Sequence, residues 1–474
     1  MQLPLLQVAI AAALTALVAG LTVWKCRRAS VHSTDAHQEY FLAGRGLSWF
    51  FIAGSITITN LSTEQLVGMN GNQMLLLAWW ELAAVVGLGI LALVFLPIYY
   101  RYNCTTTTEL LEKKFGAKSI RSLIGGLFTF ANVFISMPIM LYSSALFLKS
   151  MFGLQVPLLL IAIILALAGS LFAILGGLRA VAVADTYSGV LLLTMGTAIV
   201  FLSLAAINWD FSGIPPERLT MIGGNDSPIP WHTLLTGMIF IQIFYWSTNQ
   251  TITQRAMAAP TLREAQKGVL AAATVRLLVI PPMVVLPGVV SYKLYGDIND
   301  AAYGTIAGAV LPEFLTGIFA AALVTAVLAH FASVLNSTAT LYVCDIHEKY
   351  FNPNPNVPKL GGIASAAFVV IAILLVPVYS DAESIINLVQ QLNGLTSMPI
   401  LSAFIVGLLF RNVDARAAVM GVLFGVGLYA IFTFVWTPLH YIHLMFITLW
   451  LTVGFSLSVN RVVFGRTARF ILSR

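Results

Sequence analysis

Two runs of polar side chains interrupt hydrophobic segments of this sequence, and both are rich in groups that bind solutes and ions. The first is Gly54–Gly68 (GSITITNLSTEQLVG), and the second is Gln242–Arg255 (QIFYWSTNQTITQR). Hydrocarbon does not accommodate so many unpaired hydroxyl, amide and carboxylate groups, so each run must face protein or a water-filled cavity. No dinucleotide, Walker, zincin or nucleophile-elbow motif appears in the sequence, which disfavours catalysis and ATP use.

Composition places these runs in a polytopic membrane protein. Of the 474 residues 59% are hydrophobic and only 9% are charged, whereas soluble domains carry roughly 25% charged residues. The three cysteines are too few and too scattered for a disulfide framework or a zinc site. We therefore expect one all-α integral membrane domain, without a cofactor and without an obligate protein partner.

A transmembrane helix needs about 20 apolar residues, and this rule predicts about 13 spans. The predicted spans are 3–24, 48–70, 75–100, 119–149, 154–177, 185–208, 233–253, 267–294, 313–343, 360–379, 382–410, 415–436 and 441–461. The segment 298–311 is predicted to form a short surface helix outside them.

The distribution of basic residues predicts the orientation of the chain. If the first loop is cytoplasmic, 21 of the 25 Lys and Arg residues fall on the cytoplasmic side, as the positive-inside rule requires. The net charge of +6 is then a topology signal and does not indicate nucleic-acid binding. We expect a bacterial-type inner membrane protein in contact with lipid, with its N-terminus outside and its C-terminus in the cytoplasm.

The polar runs fall in the second and seventh predicted spans, five spans apart. An odd repeat of five helices inverts the topology, so 47–208 and 233–410 are predicted to be inverted repeats. One helix (in 1–46) precedes them and two (in 411–474) follow. Paired interrupted helices are typical of secondary transporters with a site near the midplane, and we predict a LeuT-type 5+5 fold.

Several stretches resemble the solute:sodium symporter family, in its sodium/glucose cotransporter branch. They are YFLAGRGL (40–47), NLSTEQLVG (60–68), GGLRAV (176–181) with Asp185, FYWSTNQ (244–250) with Gln254-Arg255, and LNSTAT (335–340). The resemblance implies alternating access and uphill uptake of a galactose- or glucose-like sugar. By the same resemblance Asn60 and Tyr245 would form the inner gate, and the sugar ligands would be Gln65, Glu81, Gln242, Tyr245, Trp246, Arg276 and Gln390. Glu81 and Arg276 could equally pair with each other, since isolated charges inside spans are costly.

The ion site departs from the family pattern. The resemblance places its backbone carbonyls at Ile58, Leu61 and Ala326, but its two hydroxyl positions hold Ala329 and His330. A sodium ion needs about five or six oxygen ligands, so we expect a proton on His330 to replace it, with Asp185 as the partner. The alternatives are a structural histidine, a sodium site rebuilt from Thr325 or Ser333, and an uncoupled facilitator.

A membrane enzyme or sensor on the same fold is the rival from another class. An enzyme would need a nucleophile and a base within reach of each other. A sensor would carry a soluble output domain, for which the tail 461–474 is too short. We therefore expect a transporter and no enzyme activity.

Overall fold

The computed structural model describes residues 42–61, 63–380 and 384–471, together with positions 13, 14, 16, 17, 20, 21 and 24. The predicted first span, 3–24, lies largely outside the described residues. The principal helices are α1 (Trp49–Asn60), α2 (Thr63–Gly71), α3 (Leu75–Arg101), α4 (Thr107–Phe115), α5 (Lys118–Phe152), α6 (Leu158–Ala206), α7 (Gly237–Ser247), α8 (Gln250–Met257), α9 (Leu262–Leu278), α10 (Ile280–Tyr295), α11 (Ala302–Val310), α12 (Glu313–Tyr350), α13 (Val357–Tyr379), α14 (Ile385–Leu409), α15 (Ala415–Phe434) and α16 (Tyr441–Val462).

Short elements complete the described chain. The helical turns are Ala43–Arg45, Pro216–Leu219, Trp231–Leu235 and Asn299–Ala301. Strand β1 (Phe410–Arg411) pairs antiparallel with β2 (Arg469–Phe470). Among the described residues nine helical segments are long and apolar enough to cross a membrane. The interrupted spans are missing from that number because each of their halves is short.

Both predicted interruptions are breaks in the backbone. Helix α1 ends at Asn60, Leu61 adopts φ −80° and ψ 65°, and α2 begins at Thr63. In the second half α7 ends at Ser247, and the side chain of Asn249 accepts a hydrogen bond from the amide of Thr251 to cap α8. A broken helix leaves unpaired backbone groups in the middle of the bundle, where they can bind a ligand.

The two halves of the chain share one element order. Each broken helix is followed by a long span (α3, or α9 with α10), then by a short helix (α4 or α11) and by another long span (α5 or α12). Helix α6 supplies the last two predicted spans of the first half, and α13 and α14 supply those of the second half. The predicted surface helix at 298–311 includes α11, which buries Tyr303 and Ile306.

Helix α6 differs from the sequence prediction. The spans predicted at 154–177 and 185–208 both fall in one continuous helix of 49 residues. A straight helix of that length would extend about 74 Å, more than twice the hydrocarbon thickness. No proline occurs in this segment, and the pair Gly176-Gly177 only weakens a helix without ending it. The two apolar stretches found within this helix, Leu158–Leu171 and Val181–Ala206, correspond to the two predicted spans.

Small residues allow the helices around the breaks to approach closely. A Cβ on Gly87 of α3 would lie 2.3 Å from the backbone oxygen of Gln242 in α7. A Cβ on Gly54 of α1 would lie 2.6 Å from the hydroxyl of Thr186 in α6. Small residues at such crossings are the usual basis of helix packing in membranes. These contacts fix α1 and α7, which carry the polar runs, against the surrounding helices.

Candidate functional site

A cavity lies between the two broken helices. Its wall is formed by α1, α2, α3, α7 and α14, and six of the residues predicted to bind or gate the sugar line it. These six are Asn60, Gln65, Gln242, Tyr245, Trp246 and Gln390. Amide groups and aromatic rings thus meet in one compartment, which can bind hydroxyl groups and pack against a sugar ring.

Glu81 and Arg276, the other two predicted sugar ligands, lie behind this wall. Both side chains are fully buried, and the guanidinium of Arg276 is 2.6 Å from the carboxylate of Glu81. Gln65, which lines the cavity, donates from Nε2 to Oε1 of Glu81 at 2.5 Å. The pair therefore contacts the cavity through Gln65, and sugar binding by Glu81 or Arg276 themselves stays a prediction.

Arg276 also joins the two broken helices. Its Nη1 donates to the backbone oxygen of Thr57 in α1 at 3.1 Å, and its guanidinium lies 4.5 Å from the ring centroid of Trp246 in α7. The indole of Trp246 donates to Oε1 of Gln242 at 2.9 Å, and Gln242 donates to the backbone oxygen of Trp80. A chain of three hydrogen bonds and one cation–π contact thus runs from α1 to α3 beside the cavity.

A second cavity adjoins the first and shares part of its wall. The residues common to both are Glu64, Phe244, Tyr245, Val389 and Asn393. The remaining polar residues of the second cavity are Asn132, Ser136, Asn249, Thr251, His330 and Thr396. Tyr245 therefore stands between the two cavities, the position required of a gate, although the gating role itself stays a prediction.

Glu64 is the residue of this site that the sequence interpretation missed. Its Oε1 lies 3.8 Å from Nε2 of His330, and it lines both cavities. The available signal was its position, next to Gln65 in the first polar run and within a predicted span. A carboxylate at such a position is rare and is by default a functional candidate.

The side chains at the predicted ion position are apolar apart from His330. Ile58, Leu61, Ala326 and Ala329 are all at least 96% buried. Of the two candidate replacement hydroxyls, Thr325 donates to the backbone oxygen of Ala321, and Ser333 donates to Asp185. Helix α12 is continuous through this region, so its carbonyls are used by its own hydrogen bonds.

Asp185 belongs to a different polar cluster. Its carboxylate accepts hydrogen bonds from Ser55 at 2.6 Å and from Ser333 at 3.2 Å. Nε of Arg255 is 3.7 Å from that carboxylate and donates to Ser55 at 2.8 Å. Asp185 was predicted as the partner of His330 and interacts with it electrostatically, and His330 also forms an ion-pair contact with Glu64 at 3.8 Å. The partnership of His330 with Asp185 stays a prediction.

Two broken helices in inverted repeats around a cavity lined by amides and aromatic rings define the class, a secondary transporter of the LeuT type. The chain belongs to the Sodium:solute symporter family, whose profile matches residues 40–425. This confirms the resemblance found in the sequence. The protein is therefore a multi-pass membrane protein of a cation-coupled solute symporter family.

Known relatives agree with this assignment. The chain is 36% identical over 444 residues to YidK, an uncharacterised symporter of Escherichia coli, covering 88% of this chain and 76% of YidK. It is 30% identical over 461 residues to the sodium/glucose cotransporter of Vibrio parahaemolyticus, covering 89% and 83% of the two chains.

Solved structures confirm the fold. A Na⁺-coupled sialic acid symporter in a substrate-bound outward-open state superposes with a TM-score of 0.83 at 17% identity, covering 96% of this chain and 98% of the other. Mhp1, a nucleobase-cation-symport-1 family transporter, superposes with a TM-score of 0.57 at 14% identity, covering 92% and 96%. The predicted all-α LeuT-type fold is confirmed, and the predicted number of about 13 spans stays a prediction.

Proposed function

We propose that this protein takes up a galactose- or glucose-like monosaccharide by alternating access. The observation that carries this proposal is the cavity between the broken helices, lined by the amides of Gln65, Gln242 and Gln390. Amides both donate and accept hydrogen bonds, which suits the hydroxyl groups of a sugar. The similarity to a sodium/glucose cotransporter supports the same substrate class.

The coupling ion in this proposal is the proton. His330 stands where the family pattern has a hydroxyl ligand for sodium, and its imidazole lines the second cavity. An imidazole is the side chain whose charge changes most readily near neutral pH. A sodium symporter with a shifted ion site and an uncoupled facilitator are the alternatives that experiment must separate.

The direction of transport follows from the proposed orientation in a bacterial inner membrane. The basic end of the bundle, which includes Arg101, Lys113 and Lys349, is assigned to the cytoplasm. The second cavity, beyond Tyr245, would then be part of the inward path. Opening of the Tyr245 gate would let the sugar pass from the first cavity towards that side.

Uptake into proteoliposomes tests this proposal. Labelled galactose and glucose are offered with an inward proton gradient, an inward sodium gradient, or neither, to the wild type and to His330→Ser. We expect the proton gradient alone to drive accumulation and His330→Ser to abolish it. Sodium-driven accumulation that survives His330→Ser would overturn the proton assignment, and equilibration without accumulation would identify a facilitator. Failure to transport any monosaccharide would overturn the substrate class.

A further inference from the structure

Three carboxylates lie in the polar centre of the described bundle, and Glu64 is the one whose ion-pair partner is a histidine. Glu81 pairs with Arg276 and Asp185 pairs with Arg255, whereas Glu64 lies 3.8 Å from His330. Arginine is a hydrogen-bond donor only. The Glu64–His330 contact instead joins a carboxylate to an imidazole, a side chain that can both donate and accept a proton.

The hydrogen bonding of this pair is incomplete. Oε2 of Glu64 and Nδ1 of His330 are both buried, and neither has a hydrogen-bond partner among the described residues. A buried polar atom without a partner costs about 1–3 kcal/mol. Both atoms belong to residues that line the second cavity, so water or a proton entering that cavity can satisfy them.

The position of Glu64 suits a carboxylate that faces a protonated imidazole. Glu64 lies in the first turn of α2, where the helix dipole stabilises a negative charge. Tyr245 shares both cavities with Glu64 and interacts with it electrostatically. Asp185, which pairs with Arg255, interacts electrostatically with His330. If His330 lost its proton, the N-terminus of α2 would be the one remaining positive partner of the Glu64 carboxylate among the described residues.

We propose that Glu64 and His330 together bind the coupled proton. In this proposal Glu64 links the presence of the proton to the sugar cavity. This inference rests on the proposed function and adds a residue to it. The proton comes from water on the outer side, forms an N–H bond on His330, and returns to water on the inner side. Glu64 is suited to the transmission because it lines both cavities and precedes Gln65 in the same half-helix.

The test measures the protons moved per sugar, which is independent of the overall transport rate. Proteoliposomes containing an internal pH dye receive sugar without an imposed gradient, and labelled sugar entry is measured in parallel. The wild type, Glu64→Gln, Glu64→Asp, His330→Gln and the double variant are compared. Glu217→Gln is the matched control, because Glu217 is an exposed carboxylate outside the principal helices.

We expect the protons moved per sugar to fall at least tenfold in Glu64→Gln and in His330→Gln, with no further fall in the double variant, because the two act as one unit. Glu64→Asp should restore part of the ratio. Sugar affinity should depend on pH in the wild type and in Glu217→Gln but be independent of pH in both neutral variants.

Two results separate this inference from the proposed function. If Glu64→Gln moves as many protons per sugar as the wild type while His330→Gln does not, His330 acts alone and the inference is overturned. If the wild type itself moves no protons with sugar, the proposed proton coupling fails, and the inference fails with it. Sugar entry in each variant shows that the protein is folded and reconstituted.

Discussion

Two buried carboxylate–arginine pairs anchor the same half-helix, α1, but they are built differently. Glu81 and Arg276 are in direct contact at 2.6 Å. Asp185 and Arg255 are 3.7 Å apart, and the hydroxyl of Ser55 bonds to both of them. The first pair lies behind the first cavity, and the second adjoins the helix that carries His330.

The difference between these two ion pairs indicates which of them holds its neighbouring helices in one position and which allows them to rearrange. In a directly contacting ion pair inside a bundle, the electrostatic attraction is strongest at one arrangement of the two side chains. Removal of one partner leaves an uncompensated buried charge. A pair bridged by hydroxyl groups has alternative hydrogen-bonding arrangements of similar energy. We therefore interpret Glu81–Arg276 as a support for the sugar cavity and Asp185–Arg255 as an adaptable contact near the ion position.

The largest expected effect is that of Arg276→Met. This change leaves Glu81 buried and unpaired, which costs about 3–5 kcal/mol, and it removes the bond to the Thr57 oxygen. We expect a lower midpoint of thermal unfolding in detergent and loss of sugar uptake. The double variant Glu81→Gln/Arg276→Met should recover much of the stability. A single variant as stable as the wild type would show that the pair is not a support.

Asp185→Asn should have a smaller effect. The amide oxygen can still accept from Ser55 and Ser333, and Arg255 keeps its bonds to Ser55 and to the backbone oxygen of Thr251. We expect a loss of about 2 kcal/mol, below the usual range for a broken buried pair, by the same unfolding measurement. A loss greater than that of Arg276→Met would reverse the comparison between the two pairs.

Gln390→Ala tests the sugar cavity itself with little effect on stability. Gln390 lines the cavity and is only partly buried, so truncation should remove one or two hydrogen bonds to the sugar. We expect the apparent affinity to weaken about tenfold, which corresponds to about 1.4 kcal/mol. The matched control is Gln391→Ala, one residue away and outside the cavity wall. Equal affinities in the two variants would remove Gln390 from the site.

The sequence predicted most of the wall of the first cavity and less of the surroundings of His330, for physical reasons. The polar runs could only be stable in a membrane at helix breaks facing a cavity, so the lining by Gln65, Gln242 and Tyr245 was foreseeable. The approach of Glu64 to His330 depends on how α2 rotates against α12. Spans that are apolar on all sides give no periodic signal for that rotation. The pairing of Glu81 with Arg276 was one of two open interpretations, and sugar binding by these residues was the other. The sequence could not separate them, because both interpretations predict buried charges.

A carboxylate without an arginine partner also occurs outside the spans, at Asp300. Burial raises the pKa of Asp300 to about 6, although its carboxylate accepts a hydrogen bond from the amide of Ile385 at the start of α14. Because the folded-state pKa exceeds the unfolded value of about 3.9, the folded protein binds this proton more tightly. Stability should therefore fall as pH rises between about 4 and 6 and be constant above that range.

Unfolding midpoints between about pH 4 and pH 8 should show this slope in the wild type and a weaker one in Asp300→Asn. If the unfolding midpoints of the wild type and of Asp300→Asn depended on pH in the same way, a group other than Asp300 would be titrating. The contrast between carboxylates with and without an arginine partner would then apply only to the polar centre of the bundle.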